Sequence, residues 1–506
     1  MKELTLKAGR KMFNENYLLA ISFIIFIAAP ILPAQNPNII WMQIFGEGEF
    51  NCVYWVEQVG QGNYPDLPGF ILAGCRKSYG QVHNDVLLIK TDGDGNTEWA
   101  RTYGDSDNDA GFCVKPTSDS GFIVCGFFTD GDRSTSDGYI IKTDASGDTV
   151  WTRKYGDSGG ESFAEITQTS DGGYIAAGYK TEPDEYHTDV YVVKTDSVGE
   201  VMWSREYGTP LFADHAKSVL QTSDGGYIIC GVRGGIGTAF DVWLIKMDSG
   251  GNVEWNRTYG GDGYDAGYSV DQTSDGGYIV SGYKTILIAP YHHDLYLVKT
   301  SSDGTVQWER TYGESVSDCA NSVREISDGG FIAAGLMETP MQGGCDIYVV
   351  KTDDNGDLQW FGTMSINDAD IGYCVRQTDD GNFVIAGSAF SLDYIFDAFM
   401  MKINSGLVDV EDEMVDFIPG KFKLLQNYPN PFNTETNIEF YLRKNSNVSV
   451  DVFNVLGERV ADLLNEPLNS GKHVVRWDAS DQTSGVYFYR INTDGDSFSK
   501  KMLFLK

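Results

Sequence analysis

Thr273-Ser274-Asp275-Gly276-Gly277-Tyr278, followed by Ile279-Val280, decides how the rest of the chain reads. The phrase returns seven times, more or less worn. Its aromatic falls at Phe70, Phe122, Tyr174, Tyr227, Tyr278, Phe331 and Phe383, in steps of 51 to 53 residues. Self-similarity at such a period marks a fold assembled from repeated supersecondary units. Two further markers run in phase with it. Trp stands at Trp41, Trp99, Trp151, Trp203, Trp255, Trp308 and Trp360, and an apolar-apolar-Lys element ends at Lys90, Lys142, Lys194, Lys246, Lys299, Lys351 and Lys402. One unit shows the grammar: the branched and aromatic run 294–299, a Gly/Asp turn, a strand around Trp308, a further run 320–326, and the Ser327–Gly330 turn. Each unit therefore spells four short strands joined by hairpin turns, with Gly and Asp supplying the turn geometry.

Four strands per unit and seven units predict an all-β chain with a seven-bladed β-propeller. A solenoid would want atypical polar caps at both ends. Here the ends are complementary instead. The chain opens on a lone Trp strand around Trp41, and the seventh unit stops at Lys402 without one. The Trp41 strand is expected to pair with 397–402 and complete the last blade, which leaves no open sheet edge. The units resemble the blades of kelch, WD-repeat and quinoprotein propellers, most of all the quinoprotein repeat, and that resemblance concerns architecture alone.

Composition narrows the function classes. The formal charge is −34, which argues against nucleic acid, since phosphate binding needs a basic face. Lys2, Lys7, Arg10 and Lys11 precede an apolar stretch from Tyr17 to Ala34, the pattern of a signal peptide cleaved after Ala34. No later stretch is apolar for long enough to span a bilayer as a helix, so no transmembrane helix is expected after cleavage. All eight cysteines lie in the exported part, where disulfides are permitted. Cys113 and Cys125 flank a hairpin turn almost symmetrically, and Cys52 and Cys75 flank a longer one, so these two pairs are the disulfide candidates.

Propeller topology puts the two tight turns of every unit on one side and the other connections on the opposite side. The divergent loops lie on that second side, where binding residues are expected. They carry His83, His187, His292, His293 and Arg233, the candidate ligand contacts. Asp105, Asp107 and Asp109 alternate within five residues and are a candidate Ca²⁺ site. A ring of acids repeats as well: Asp85, Asp137, Asp189, Asp241, Asp294, Asp346 and Asp397 begin one strand in all seven units, and Asp109, Glu161, Asp214, Asp265, Asp318 and Asp370 begin another. Repetition in every unit favours a structural role as turn caps. No nucleophile elbow, HExxH or phosphate loop is present.

After residue 404 the repeat ends. Residues 405–420 carry five carboxylates and no basic residue, as a solvated linker does. Then Gln426-Asn427-Tyr428-Pro429-Asn430-Pro431-Phe432-Asn433 opens a series of alternating strands, with a Val455-Leu456-Gly457 turn, the run Ser484-Gly485-Val486-Tyr487-Phe488-Tyr489, and a Lys500-Lys501-Met502-Leu503 ending. Alternation of this kind predicts a small Ig-like β-sandwich. These motifs, in this order, closely resemble the type A C-terminal sorting domain of type IX secretion substrates, over residues 421–506. The resemblance implies passage across the inner membrane by the signal peptide and then across the outer membrane of a Gram-negative bacterium by the type IX machinery. It also implies removal of the domain by a surface sortase and attachment of the cargo to the outer surface. The expected order is a signal peptide (1–34), a propeller (35–404), an acidic linker (405–420) and a sorting domain (421–506). The expected function is binding or adhesion to a glycan or protein. The alternative is a polysaccharide hydrolase or lyase with its site at the channel mouth.

Overall fold

The computed structural model describes residues 37–405 and 423–506, except 47–49, 61–67, 78–82, 106, 130–134, 182–186, 210–211, 236–239, 288–290, 314–315, 340–343, 391–395, 425–431, 443–445, 456, 469–470 and 494–496. The signal-peptide stretch, the linker from 406 to 420 and the Asn-Tyr-Pro-Asn-Pro segment lie outside the described residues.

Seven four-stranded antiparallel sheets follow one another along the chain. Blade 1 is Phe50–Val59, Gly69–Lys77, Asp85–Thr91 and Thr97–Tyr103, and blades 2 to 6 repeat this consecutive order. Blade 7 joins Ala369–Gln377, Phe383–Phe390 and Phe396–Ile403 to the first strand of the chain, Ile39–Phe45, with Trp41 opposite Lys402. The first strands of successive blades lie side by side, and the ring closes where Ala369–Gln377 meets Phe50–Val59. The result is a seven-bladed β-propeller. The middle strands of each blade are sandwiched between neighbouring blades, so Gly69–Lys77 and Asp85–Thr91 are buried on both faces. That is why their sequences are near-continuous apolar runs instead of alternating ones. The outermost strands, such as Thr97–Tyr103, face solvent.

The three repeat markers turn out to be joints. Each Trp packs on the phrase aromatic of the following blade, from Trp41 on Phe70 around to Trp360 on Phe383, with centroids 5.7–6.4 Å apart. Contacts of this kind contribute beyond the area they bury. In six of these joints, all but that of Trp360, the same Trp rests on a turn glycine of the next blade among the described residues. A Cβ on Gly147, which sits at φ +80°, would stand 2.9 Å from the Trp99 ring. Within the phrase turn, Asp171 accepts from Gly173 N (3.0 Å) and Thr169 Oγ1 (2.5 Å). It also pairs with buried Lys194 at 2.9 Å. Equivalent Lys–Asp pairs hold blades 2, 4, 5, 6 and 7. Burial raises Asp171, but the Thr169, Lys194 and Gly173 bonds outweigh it and hold the carboxyl at about 2.

The C-terminal segment forms two sheets. One contains Lys423–Leu424, Glu435–Leu442 and Gly471–Asp478; the other contains Arg459–Leu468, Ser446–Asn454, Gly485–Asn492 and Ser497–Phe504. Their inner faces share one apolar core that includes Phe432, Phe440, Val450, Trp477, Tyr489 and Phe504. This is a small β-sandwich. Among the described residues, no helix is long and apolar enough to cross a membrane.

Candidate functional site: the channel and its rims

Every innermost strand breaks register at the same place. The unpaired residues are Tyr54, Phe112, Ala164, Lys217, Tyr268, Asn321 and Tyr373, one per blade. A β-bulge of this kind re-aims a side chain and bends the strand. On the partner strand the facing position is always glycine. A Cβ on Gly74 would lie 1.8 Å from Cys52 O, and one on Gly231 1.9 Å from His215 O. The bulges set side chains around the axis. Tyr54 meets Phe112 of blade 2 at 5.3 Å and Tyr373 of blade 7 at 5.2 Å between ring centroids.

The next residue of blade 1, Trp55, crosses the channel. Lys115 of blade 2 lies 4.5 Å from its ring centroid, Arg376 of blade 7 lies 4.6 Å away, and Arg324 of blade 6 lies 5.9 Å away. Below it Glu57 accepts from Arg376 Nε (3.0 Å), Arg376 Nη2 (2.9 Å) and Lys115 Nζ (2.6 Å). Burial pushes the Glu57 carboxyl up, but Arg376 and Lys115 outweigh it and hold it well below the carboxylate range. Glu165 of blade 3 accepts from Ser218 Oγ (2.6 Å) and Val219 N (3.1 Å). Trp55 and this network form a floor toward the tight-turn side, and the bulged ring forms the wall above it.

The acid ring of the opposite rim is structural wherever its bonds are seen. Asp109 accepts from Thr129 N (3.1 Å) and Asp105 N (3.2 Å). Asp214 accepts from Gly234 N and Thr209 N, and Asp265 from Thr285 N and Gly261 N. These bonds tie the strand ends of blades 2, 4 and 5 to their entry loops. Burial, with nearby carboxylates, raises Asp109 and Glu161 to about 7. In the candidate Ca²⁺ segment, Asp105 Oδ1 accepts from Asp107 N at 3.1 Å and Asp109 is taken up by amides. Among the described residues no group of three or more His, Cys, Asp or Glu is arranged to hold a metal ion.

The candidate ligand contacts do not meet. His83 precedes a strand of blade 1, His187 one of blade 3, and His292 and His293 open one of blade 5. His292 Nε2 lies 3.2 Å from Asp294 Oδ1, and His293 Nδ1 lies 3.1 Å from Thr285 Oγ1. Arg233 covers the Trp243 ring at 5.3 Å and lines a 330 Å³ cavity between blades 3 and 4, with Glu206 and Asn256. Cys52 stands directly opposite Cys75, and Cys113 opposite Cys125, and all four are buried. The hydrogen bond with Cys75 lowers Cys52 to about 7. The channel residues were missed by reading loops alone. The signal was available, because from Phe112 onward each bulged residue stands ten places before the phrase aromatic, in a column of that strand where the units disagree.

An exported β-propeller carrying a sorting domain is the class these features define. Residues 426–504 match the family described as the secretion system C-terminal sorting domain. The chain is thus a type IX secretion substrate, secreted or attached to the outer surface of a Gram-negative bacterium, and its tail engages the type IX machinery. No curated protein matches the chain. Among solved structures it is similar to PorZ, a surface component of the type IX secretion system of Porphyromonas gingivalis. The identity is 12% over 86% of this chain and 58% of that one, with TM-score 0.39. The chain thus spans less than two thirds of that structure. It is also similar to the β-propeller domain of the Trilobed protease from Pyrococcus furiosus (11% identity, 73% of this chain, 99% of that one, TM-score 0.41). A fungal alcohol oxidase of the AA5 family shares 11% identity over 93% of this chain and all of that one, with TM-score 0.44.

Proposed function

We propose that the exported propeller is a binding or adhesion module for a glycan or protein, with its ligand seated in the channel mouth above Trp55. A surface sortase removing the tail would leave this module outside the cell. The observation that carries the reading is the bulged ring: seven in-phase positions aim at one axis, and four of them are aromatic. A concave site lined by aromatic side chains with a few polar groups is the usual form of a small-ligand site.

The hydrolase or lyase reading draws on the raised carboxyls of Asp109 and Glu161. Both side chains are wholly shielded from solvent, and Asp109 already caps two amides. Binding is therefore the better-supported function. A glycan and protein binding screen on the secreted chain, with and without EDTA, tests it. The Tyr54→Ala/Tyr268→Ala/Tyr373→Ala variant should lose binding while keeping its circular dichroism. A screen without a ligand, or undiminished binding by that variant, refutes the reading. Loss of binding with EDTA would bring a Ca²⁺ requirement back.

A further inference from the structure

Lys217 is the one cation in the bulged ring. It lies half-buried on the innermost strand His215–Gln221 of blade 4. Among the described residues nothing pairs with it: it has neither a hydrogen bond nor a carboxylate within ion-pair distance. Burial alone lowers its pKa, with no opposing charge to restore it. The carboxylates nearest the floor are already engaged, Glu57 by Arg376 and Lys115, and Glu165 by Ser218 and the Val219 amide. At the floor level, Asp271 accepts from Glu325 N at 3.3 Å. Arg324 donates to Ser269 Oγ and Val323 O, and among the described residues it too has no carboxylate partner. The axis thus carries a local excess of cation inside a chain whose formal charge is −34. An ammonium partly withdrawn from water with no counter-ion carries a desolvation cost, and an incoming anion would offset it. Ala164, the smallest side chain of the ring, occupies the equivalent position of the adjacent blade.

We propose that the chamber above Trp55 takes an acidic saccharide, its carboxylate on Lys217 Nζ and its sugar faces on Tyr54, Tyr268 and Tyr373. The inference rests on the binding reading above and names the ligand class. The aromatic faces match the C–H faces of a pyranose, and phenol hydroxyls can bond its oxygens. The charge makes the site selective, because a neutral sugar leaves the half-buried ammonium uncompensated.

The test is calorimetric titration of the whole secreted chain with trigalacturonic acid and with the uncharged galactose trisaccharide. The acid should bind about tenfold or more tightly than the neutral sugar. Lys217→Gln should remove that preference, while Lys217→Arg should keep most of it. Thermal unfolding of Lys217→Gln should show no loss of stability, since the substitution removes an unpaired cation. Equal affinity for the two sugars, or an unaltered preference in Lys217→Gln, overturns the assignment and leaves the binding function standing. Binding of an acidic peptide but neither sugar overturns the saccharide class. Failure of every glycan and protein in the wider screen overturns the binding function itself.

Discussion

Glu161 offers a quantitative check on how the rim is built. The side chain is 0% exposed, and neither carboxylate oxygen has a hydrogen-bond partner among the described side-chain contacts. Burial, with Asp157 and Asp137 adding repulsion, raises it from 4.5 to about 7. A raised carboxyl binds its proton more tightly in the folded chain than in the unfolded one. Stability contributed by this group is thus greatest at acid pH and falls as pH rises from about 4.5 to about 7. The full difference corresponds to about 3 kcal/mol, which water at the nearby loop face screens to roughly 1–3 kcal/mol. Glu161→Gln removes the ionisation and keeps the shape. At pH 8 the variant should be more stable by that amount, a rise of roughly 1–4 °C in Tm for a propeller of this size. At pH 4.5 the two proteins should melt together. Scanning calorimetry of both at the two pH values decides it. A variant that is less stable at pH 8, or shifted equally at both, would refute the account of a sealed, charge-averse carboxyl.

Four other outcomes are expected. Lys194→Met should cost about 3 kcal/mol in urea unfolding, because it strips Asp171 and Thr195 O of the ammonium they share at 2.9 and 2.8 Å. In the oxidising exterior, non-reducing peptide mapping should find Cys52 joined to Cys75 and Cys113 to Cys125; alkylation of all eight thiols without reductant would contradict this. Deleting residues 421–506 should hold the protein inside the cell envelope, as read by surface fractionation, and display at the native level would speak against the sorting role. Deleting residues 37–46 should expose the edge of Phe396–Ile403 and produce aggregates that the full chain does not form on size-exclusion chromatography.

Much of the architecture was legible because a repeat states its own rules several times over. Gly276 and Asp275 recur where a hairpin must turn, and Trp255 and Lys299 recur where blades meet. Site positions were less legible for the opposite reason. A sequence pattern finds agreement, and function sits where agreement stops. The divergent loops were one such place, yet His83, His187, His292 and His293 fall on three separate blades. The bulged column was another, hidden inside a regular strand.

The sequence alone determined the class of fold, the sorting tail and the export they imply, since period, turn chemistry and terminal motifs are local properties. Only the tertiary structure decided what the repeated phrase does and which residues share the axis. Tyr54 and Tyr373 are separated by most of the chain, and they touch because closing the ring sets blade 7 against blade 1. Lys217 has no counter-charge among the described residues for a comparable reason. Seven strands converge on one narrow space, and which of their side chains find partners there depends on all seven at once.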